Sequence, residues 1–448
     1  MKRGDTLTLT CERMNADGAG VAFFGDDVAV LMPGVLPGDR VSAQVEHVSP
    51  HKTAQRRQAW ARVVEVQSDG PHHVPAPCPA FGTCGGCVWQ HMDCAEQLRW
   101  KTTLVVEALV ERGVNAAVQA CVASPVTRGY RNQGKYVVAK DAGGVRLGGY
   151  APRTHDVVDL VGCALVEPAI DVVASAVKER LRTSNVDVRY VVVRANARGQ
   201  TLLTLVVRDE AEARAPGLAA LADAVMADVA GIVGVVANIN GSLGDVIFGD
   251  RDVVVRGAGV LSDAVAEVDL QLSPRAFFQV NRHVAALAYE AIAAFARTLP
   301  QAACVWDVYA GVGTIARVIA QREPRVKNVV CVEIRPTAVD DARAAWKDAS
   351  GAHFEAVAGD AATILASAAS RPDVVVLNPP RAGCDEQVLN GVAARAPEGI
   401  AYLSCNPKTL ARDLGTLATL GYAVAQVVPF DMLPDTPHVE TLATLRLR

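Results

Sequence analysis

No run of apolar residues in this chain is long enough to cross a bilayer. Stretches such as residues 229–239 fall short of the roughly 20 residues a spanning helix needs. The start, Met1-Lys2-Arg3-Gly4-Asp5, leads into alternating strand-like sequence and not into an apolar leader core, so no secretory signal is read. Both absences point to a cytoplasmic protein with no membrane partner. In that reducing setting the 11 cysteines are not expected to pair as disulfides; they ask for a metal, a reactive thiol or core packing. A basic surplus is missing too: Lys and Arg total 44 against 48 Asp and Glu, for a formal net charge of −4. That excludes a nucleic-acid partner gripped by overall charge, though a local basic groove remains open. No internal repeat or low-complexity tract appears, which excludes a solenoid.

What is present is an ordinary globular composition, 50% hydrophobic and 21% charged over 448 residues, enough for two to four domains. Residues 1–66 read as short strands between turn signals such as Gly18-Ala19-Gly20, Gly25-Asp26-Asp27 and Pro37-Gly38-Asp39. Their spacing predicts a small closed β-barrel of the oligonucleotide-binding type, with His51, Lys52, Arg56 and Arg57 on its edge. The plainer alternative is a structural β module with a solvated rim. Residues 71–94 form a Pro-, Gly- and Cys-rich connector. A helix is predicted from about residue 100, with Leu104, Val105, Leu109 and Val110 on one face. Residues 67–270 are read as a central α+β domain. Within it, Lys101, Arg112, Arg128, Arg131, Lys135, Lys140, Arg146 and Arg153 outnumber Glu107, Glu111 and Asp141. With Tyr130, Tyr136 and Tyr150 interleaved, this window suits stacking and phosphate neutralisation, or else a plain solvated face.

Residues 271–448 change character. Candidate strands at 304–308, 328–334, 354–357, 374–377, 400–404 and 423–429 alternate with helical segments, which predicts a Rossmann-like α/β unit with a mostly parallel sheet. The chain as a whole is therefore a multidomain α/β protein. At the end of the first of these strands stands Asp307-Val308-Tyr309-Ala310-Gly311-Val312-Gly313-Thr314. Two glycines there let the backbone approach a ligand closely. Glu333, twenty residues after Gly313, can accept ribose hydroxyls, and Asp360 can receive an adenine amino group. Ala316 nearly completes a dinucleotide fingerprint. Asn378-Pro379-Pro380 after the fourth strand tips the choice to S-adenosylmethionine (SAM).

The segment Ala401-Tyr402-Leu403-Ser404-Cys405-Asn406-Pro407-Lys408-Thr409 and the distant His438-Val439-Glu440 supply a nucleophilic thiol and a carboxylate base. They lie 35 residues apart in sequence, so only folding can join them. Together they suit sulfur addition to a pyrimidine ring, methylation of the neighbouring carbon and removal of a proton. Arg381 is placed to stabilise an enolate or a phosphate, or to pair with a structural carboxylate.

On these motifs the chain resembles the RNA uracil-C5 methyltransferases, which form 5-methyluridine in ribosomal or transfer RNA. The signature Asn378-Pro379-Pro380-Arg381-x-Gly383 with Tyr402-x-Ser404-Cys405-Asn406-x-x-Thr409 matches in content and spacing, as do Asp431, Pro434, Thr436, His438 and Glu440. The resemblance covers essentially the whole chain. It implies a TRAM-type RNA-binding N-terminal domain and a class I methyltransferase C-terminal half. It implies Cys405 as nucleophile and Glu440 as base. Gln279, Tyr309, Gly311, Thr314, Glu333, Asp360 and Asn378 would line the cofactor pocket. Three positions depart from the family: Asn378 where Asp is common, Leu433 where an aromatic is common, and Asp435 where Gln or His is common.

Cys78, Cys84 and Cys87 are spaced C-x5-C-x2-C in a Gly-rich loop, and Cys163 is a candidate fourth thiolate. Paired C-x-x-C knuckles would favour zinc; three clustered ligands and one remote suit an iron–sulfur cluster. Members of the resembled family carry a [4Fe–4S] cluster at matching positions. This implies the 23S ribosomal RNA branch, with transfer RNA as the alternative substrate, and a monomer. A non-catalytic RNA-binding scaffold, or a methyltransferase for DNA or a small molecule, are the readings from other classes.

Overall fold

The computed structural model describes residues 1–53, 56–244, 246–347, 351–368 and 370–448. Period-two alternation at the start folds into six strands: β1 (Thr6–Thr10), β2 (Arg13–Met14), β3 (Gly20–Phe24), β4 (Val28–Met32), β5 (Arg40–Thr53) and β6 (Arg56–Ser68). They order as β1-β5-β6-β4-β3-β2, antiparallel except where β4 meets β6. The sheet wraps a core of Val30, Met32, Val41 and Ala43, all fully buried. Gly20 is needed for this wrap, since a Cβ there would lie 2.5 Å from the Val35 carbonyl oxygen. No ladder joins β1 to β2 among the described residues, but β1 reaches β3, so the sheet curls toward the expected barrel without a closing ladder. β6 also runs two residues past the expected boundary at 66.

The connector leads into α1 (Cys94–Glu111), which starts earlier than the apolar pattern suggested. The reason is a cap: the Asp93 carboxylate accepts the Glu96 N–H at 2.8 Å. Leu104, Val105 and Leu109 are buried as expected, but Val110 is 71% exposed, one step round the helix from Leu109.

The central unit holds β7 (Gln133–Asp141), β8 (Gly144–Tyr150), β9 (Val157–Asp159), α2 (Pro168–Thr183), β10 (Tyr190–Ala195), β11 (Thr201–Val207), α3 (Glu210–Ala213), α4 (Pro216–Asp228), β12 (Ile232–Ile239) and β13 (Arg251–Gly257). Its sheet runs β13-β12-β11-β10-β7-β8-β9. Helices α2 and α4 cover one face, against Val191, Val193, Leu203, Leu205 and Val235. The other face carries Lys135, Val192 and Arg194 and turns toward the C-terminal unit, where Arg194 donates to the Ala276 carbonyl at 2.7 Å.

The C-terminal unit comprises the hairpin β14 (Leu261–Val265) and β15 (Val268–Leu272), then α5 (Arg282–Arg297), β16 (Cys304–Val308), α6 (Thr314–Arg322), β17 (Asn328–Glu333), α7 (Pro336–Trp346), β18 (His353–Ala358), α8 (Ala361–Ser367), β19 (Val374–Leu377), α9 (Glu386–Ala394), β20 (Gly399–Ser404), α10 (Pro407–Thr419), β21 (Tyr422–Phe430) and β22 (Glu440–Leu447). Its sheet order is β18-β17-β16-β19-β20-β22-β21, parallel except for β22. Strands buried on both faces explain the near-continuous Val and Leu runs. The order reverses between β16 and β19, which opens a crevice at their carboxyl ends.

Two segments expected within residues 67–270 pack elsewhere. α1 seats Val105, Ala108 and Leu109 in the core of the C-terminal unit, against α10 and β21. The β14–β15 hairpin packs on α5, α6 and α7. The packing therefore moves both to the C-terminal unit. No helix among the described residues is long and apolar enough to cross a membrane.

Candidate active site

Sheet register closes the sequence gap between the thiol and the carboxylate. β20 and β22 run antiparallel with Ser404 opposite Thr441. Cys405 follows the last residue of β20 and Glu440 opens β22, so the two stand at the same end of this ladder, near enough for the carboxylate charge to act on the thiol. Local hydrogen bonds fix the turn after β20. Ser404 Oγ accepts the Asn406 N–H at 3.1 Å, and the Asn406 side-chain carbonyl accepts the Lys408 N–H at 3.1 Å as the N-cap of α10.

The same motif holds Arg381. Asn406 Nδ2 and Thr409 Oγ1 donate to the Arg381 carbonyl at 3.0 and 3.2 Å. Gly383, at φ 80°, lets the loop turn where a Cβ would lie 2.6 Å from Asp413 Oδ2. Asp413 in turn accepts the Cys384 N–H at 2.8 Å and the Tyr402 hydroxyl at 2.5 Å. Thus the spacing of Asn406, Thr409 and Gly383 is a scaffold that aims one guanidinium. Its charge acts on both Cys405 and Glu440.

Electrostatics in this trio are unusual. Burial raises Glu440 to a pKa of about 8, with Arg381 opposing the rise. Burial and the Glu440 charge also push the Cys405 thiol up, again against Arg381. Both groups therefore resist ionisation until something relieves them. His438 is pushed down by burial and by Arg381, which keeps it neutral at pH 7. Cys405 opens onto a groove of about 960 Å³ walled by Arg381, Asn406 and His438 on one side. Arg13, Phe23, Lys52, Arg56 and Gln58 of the curled sheet form the other. Arg56 lies 4.2 Å from the centre of the Phe23 ring. Asp17, Asp26 and Glu107 also line it, so the groove is mixed in charge.

The cofactor candidates line up at the strand ends. Parallel pairing of Val308 with both Val332 and Leu377 sets Glu333, Tyr309 and Asn378 side by side, one step beyond the ladders. Tyr309 takes φ 66°, a rare conformation for a residue with a side chain, worth about 1–3 kcal/mol of stored strain. Gly311 and Gly313 follow at φ 55° and 74°. Glu333 accepts the Gly311 and Arg335 N–H groups at 3.0 Å each, one per oxygen, which leaves lone pairs for two hydroxyls. Thr314 opens α6 and is buried. Asp360 does not end a strand as expected; β18 stops at Ala358 and Asp360 caps α8 through Thr363. Its second oxygen stays open. Gln279 is buried, and its carbonyl accepts Asn132 Nδ2 at 2.9 Å. The sequence reading placed Ile334 inside a strand; the structure leaves it 66% exposed beside Glu333, an apolar surface at the crevice.

Folding pairs three of the eight cations of the basic window with carboxylates. Lys101 is fully buried against Asp431, Arg128 pairs with Asp435 and Arg146 with Asp141. The first two pairs brace the segment that leads to Glu440. Lys101 Nζ also donates to the Leu433 carbonyl at 2.9 Å, and Asp435, at φ 67°, accepts the Trp89 N–H at 3.0 Å on its carbonyl. Lys101→Met leaves a buried carboxylate without its partner, which should cost about 3–5 kcal/mol in urea unfolding. Lys101→Met with Asp431→Leu should recover most of it.

Cys78 and Cys163 lie close enough to Cys84 for their charges to act on its thiol, and Cys163 acts likewise on Cys87. Cys94 is outside the group; it opens α1 and is exposed. No three cysteine sulfurs lie within 4.8 Å of one another among the described residues; the trio that does is Asp39, Asp69 and His73, an ion-paired node. The Arg131 guanidinium lies beside Cys87 and Cys163 with its buried Nε unpartnered, a positive neighbour suited to an anionic cluster.

A sequence-family model described as tRNA (Uracil-5-)-methyltransferase matches residues 367–447, and one described as Methyltransferase small domain matches residues 290–398. A Geobacter sulfurreducens protein described as an uncharacterized RNA methyltransferase is 37% identical, over 99% of this chain and 90% of its own. A Halalkalibacterium halodurans protein of the same description is 33% identical, over 100% and 98%. Among solved structures, the Pyrococcus abyssi tRNA (uracil-54, C5)-methyltransferase in complex with S-adenosyl-L-homocysteine superposes with a TM-score of 0.74 at 24% identity, covering 98% of this chain and 100% of that one. That likeness carries the multidomain α/β fold. The matched segment at 367–447 is the one that holds Arg381, Cys405 and Glu440. By its full-length relatives and by this segment, the chain belongs to the uracil-5 family of RNA methyltransferases.

Proposed function

We propose that this enzyme forms 5-methyluridine in RNA, with Cys405 as nucleophile and Glu440 as base. The observation that supports this reading is the β20–β22 pairing, which brings the ends of the thiol's and the carboxylate's strands together, with one arginine acting on both groups. Carbon 5 of uracil is a poor nucleophile. The Cys405 thiolate adds to carbon 6, and the electron pair moves through carbon 5 to the ring carbonyl as an enolate. Arg381 is placed to stabilise both that enolate and the thiolate. Carbon 5 then takes the methyl group. Glu440 removes the remaining proton at carbon 5, the double bond re-forms, and the Cys405–carbon bond breaks.

SAM, the donor that fits the crevice, supplies an electrophilic methyl group. Glu333 would hold its ribose, Asp360 its adenine amino group, and Gly311 and Gly313 would admit its backbone side. Gln279, Tyr309, Thr314 and Asn378 would close the pocket. The target base has to leave its stack to reach Cys405. The groove between the curled sheet and Cys405 is the proposed RNA path, which gives that sheet the TRAM-type role; its Phe23–Arg56 pair suits base stacking.

Cys78, Cys84, Cys87 and Cys163 would hold a [4Fe–4S] cluster. The methylation needs no electrons, so the cluster's part is to anchor the loop that Trp89 ties to Asp435. Protein purified without oxygen should contain about four irons and four sulfides per chain, and Cys163→Ala should lose most of both. Zinc in their place would overturn the assignment. The reading takes the enzyme as a cytoplasmic monomer acting on 23S ribosomal RNA. Transfer RNA is the second substrate reading, favoured by the substrate of the Pyrococcus abyssi protein. Nucleoside mass mapping of total RNA, with and without this protein, tests both. Loss of 5-methyluridine from one RNA class identifies the substrate, and no change in either sinks the proposal.

A further inference from the structure

One charged cluster lies outside the trio at Cys405 and outside the groove along the curled sheet. On the helix-free face of the central sheet, Lys135 stands opposite Val192 and Arg194 opposite Gln133. Side chains two apart on one strand, and those facing across a ladder, share a face, so Lys135 and Arg194 are diagonal neighbours. That face looks toward the cofactor crevice. Asn132, three residues before Lys135, donates to the Gln279 carbonyl, and Arg194 donates to Ala276 in the same segment. Across the crevice stands Arg335, two residues after Glu333, its exposed side chain close enough for its charge to reach Lys135.

This gathering is unbalanced. Arg194 is 4% exposed, yet its Nε and one terminal nitrogen have no hydrogen-bond partner. Asp263 and Asp341 lie near enough to favour its charge, but neither pairs with it; Asp263 is engaged by Arg282 and Asp341 by Ser273. No carboxylate lies within ion-pair distance of Lys135 or Arg335 among the described residues; Lys135 rests 5.8 Å from the Phe248 ring centre. Burial lowers the Lys135 pKa, and the Arg194 and Arg335 charges lower it further. Folding has therefore set cations together at a solvent-reachable place with their counter-charge missing. An anion there would satisfy all of them at once.

We propose that Lys135 and Arg335, backed by the buried Arg194, bind a backbone phosphate of the RNA on the cofactor side of the target uridine. This rests on the RNA-methylating reading above. It gives the substrate a second hold, on residues that lie outside the groove along the curled sheet. A strand pinned on both sides would present the intervening base to Cys405 already pulled from its neighbours.

The experiment measures binding of a fluorescein-labelled decauridylate to the full-length protein at a series of salt concentrations. Each lost phosphate contact should reduce the slope of log affinity against log salt by about 1. Lys135→Ala should do so once, Lys135→Ala with Arg335→Ala about twice, and Lys135→Arg should restore the slope. Affinity for S-adenosylhomocysteine should stay within about twofold. An unchanged salt slope in both alanine variants overturns the proposal. So does a weakened S-adenosylhomocysteine affinity with an intact RNA slope, which would make the cofactor carboxylate the bound anion. If the parent protein shows no RNA affinity at all, the RNA-methylating reading fails, and this proposal with it.

Discussion

Replacing Cys405 by alanine will abolish the covalent complex between this protein and RNA carrying 5-fluorouridine. The parent enzyme should trap itself on that RNA. Its sulfur bonds to carbon 6 and carbon 5 accepts the methyl group, but fluorine occupies the place of the proton that Glu440 removes. Elimination cannot follow, so the adduct persists through denaturing electrophoresis. With alanine there is no sulfur to bond, and methyl transfer to ordinary RNA should fall by at least about 10⁴-fold. Cys405 is only half-buried and its turn is held by Ser404 and Asn406, so the variant should fold normally. A surviving adduct would show that another group attacks the base.

Glu440→Gln will separate the two halves of the reaction. Addition and methylation remain possible, while loss of the carbon-5 proton becomes slow. Ordinary RNA should then accumulate as a methylated, protein-bound species, and turnover should drop by about 10²–10⁴-fold. The pH dependence follows from the trio's electrostatics. Glu440 must be ionised to accept a proton, and its pKa of about 8 means that turnover in the parent enzyme climbs as pH rises toward and past 8. The Cys405 thiol is pushed up first by burial and then by the Glu440 charge. The amide removes that second cause, so alkylation of Cys405 by iodoacetamide should begin at lower pH in Glu440→Gln than in the parent. Clean, rapid turnover in this variant would remove Glu440 as the base.

Much of this site was legible before folding. Val- and Leu-rich runs bounded by turns located β16, β17, β19 and β20 to within a residue, because strands buried on both faces carry an uninterrupted apolar signal. The motif residues at 378–383 and 402–409 were legible because their hydrogen bonds are local: Asn406 and Thr409 reach back to Arg381. Other features were not. β22, the strand that carries the base, was not among the predicted strands. The basic window misled because a charge count ignores partners; Lys101, Arg128 and Arg146 each meet a carboxylate, two of them more than 300 residues away. The place of α1 was hidden for a related reason. Its apolar face looks the same whichever core it enters, and only the tertiary packing chose α10 and β21.

The meeting of Cys405 and Glu440 at one end of a ladder has a consequence for how such an enzyme can vary. Both groups sit at the mouths of neighbouring strands, and the helix and strand between them loop away from the chemistry. Lengthening α10 or trimming its far end leaves the two reacting groups where they are. Deleting a single residue within β22 does not: with the rest of the strand held in its ladder, the side chains before the cut change face, and the proton acceptor turns its back on the sulfur. Tolerance to length and intolerance to phase are thus built into the same stretch of chain.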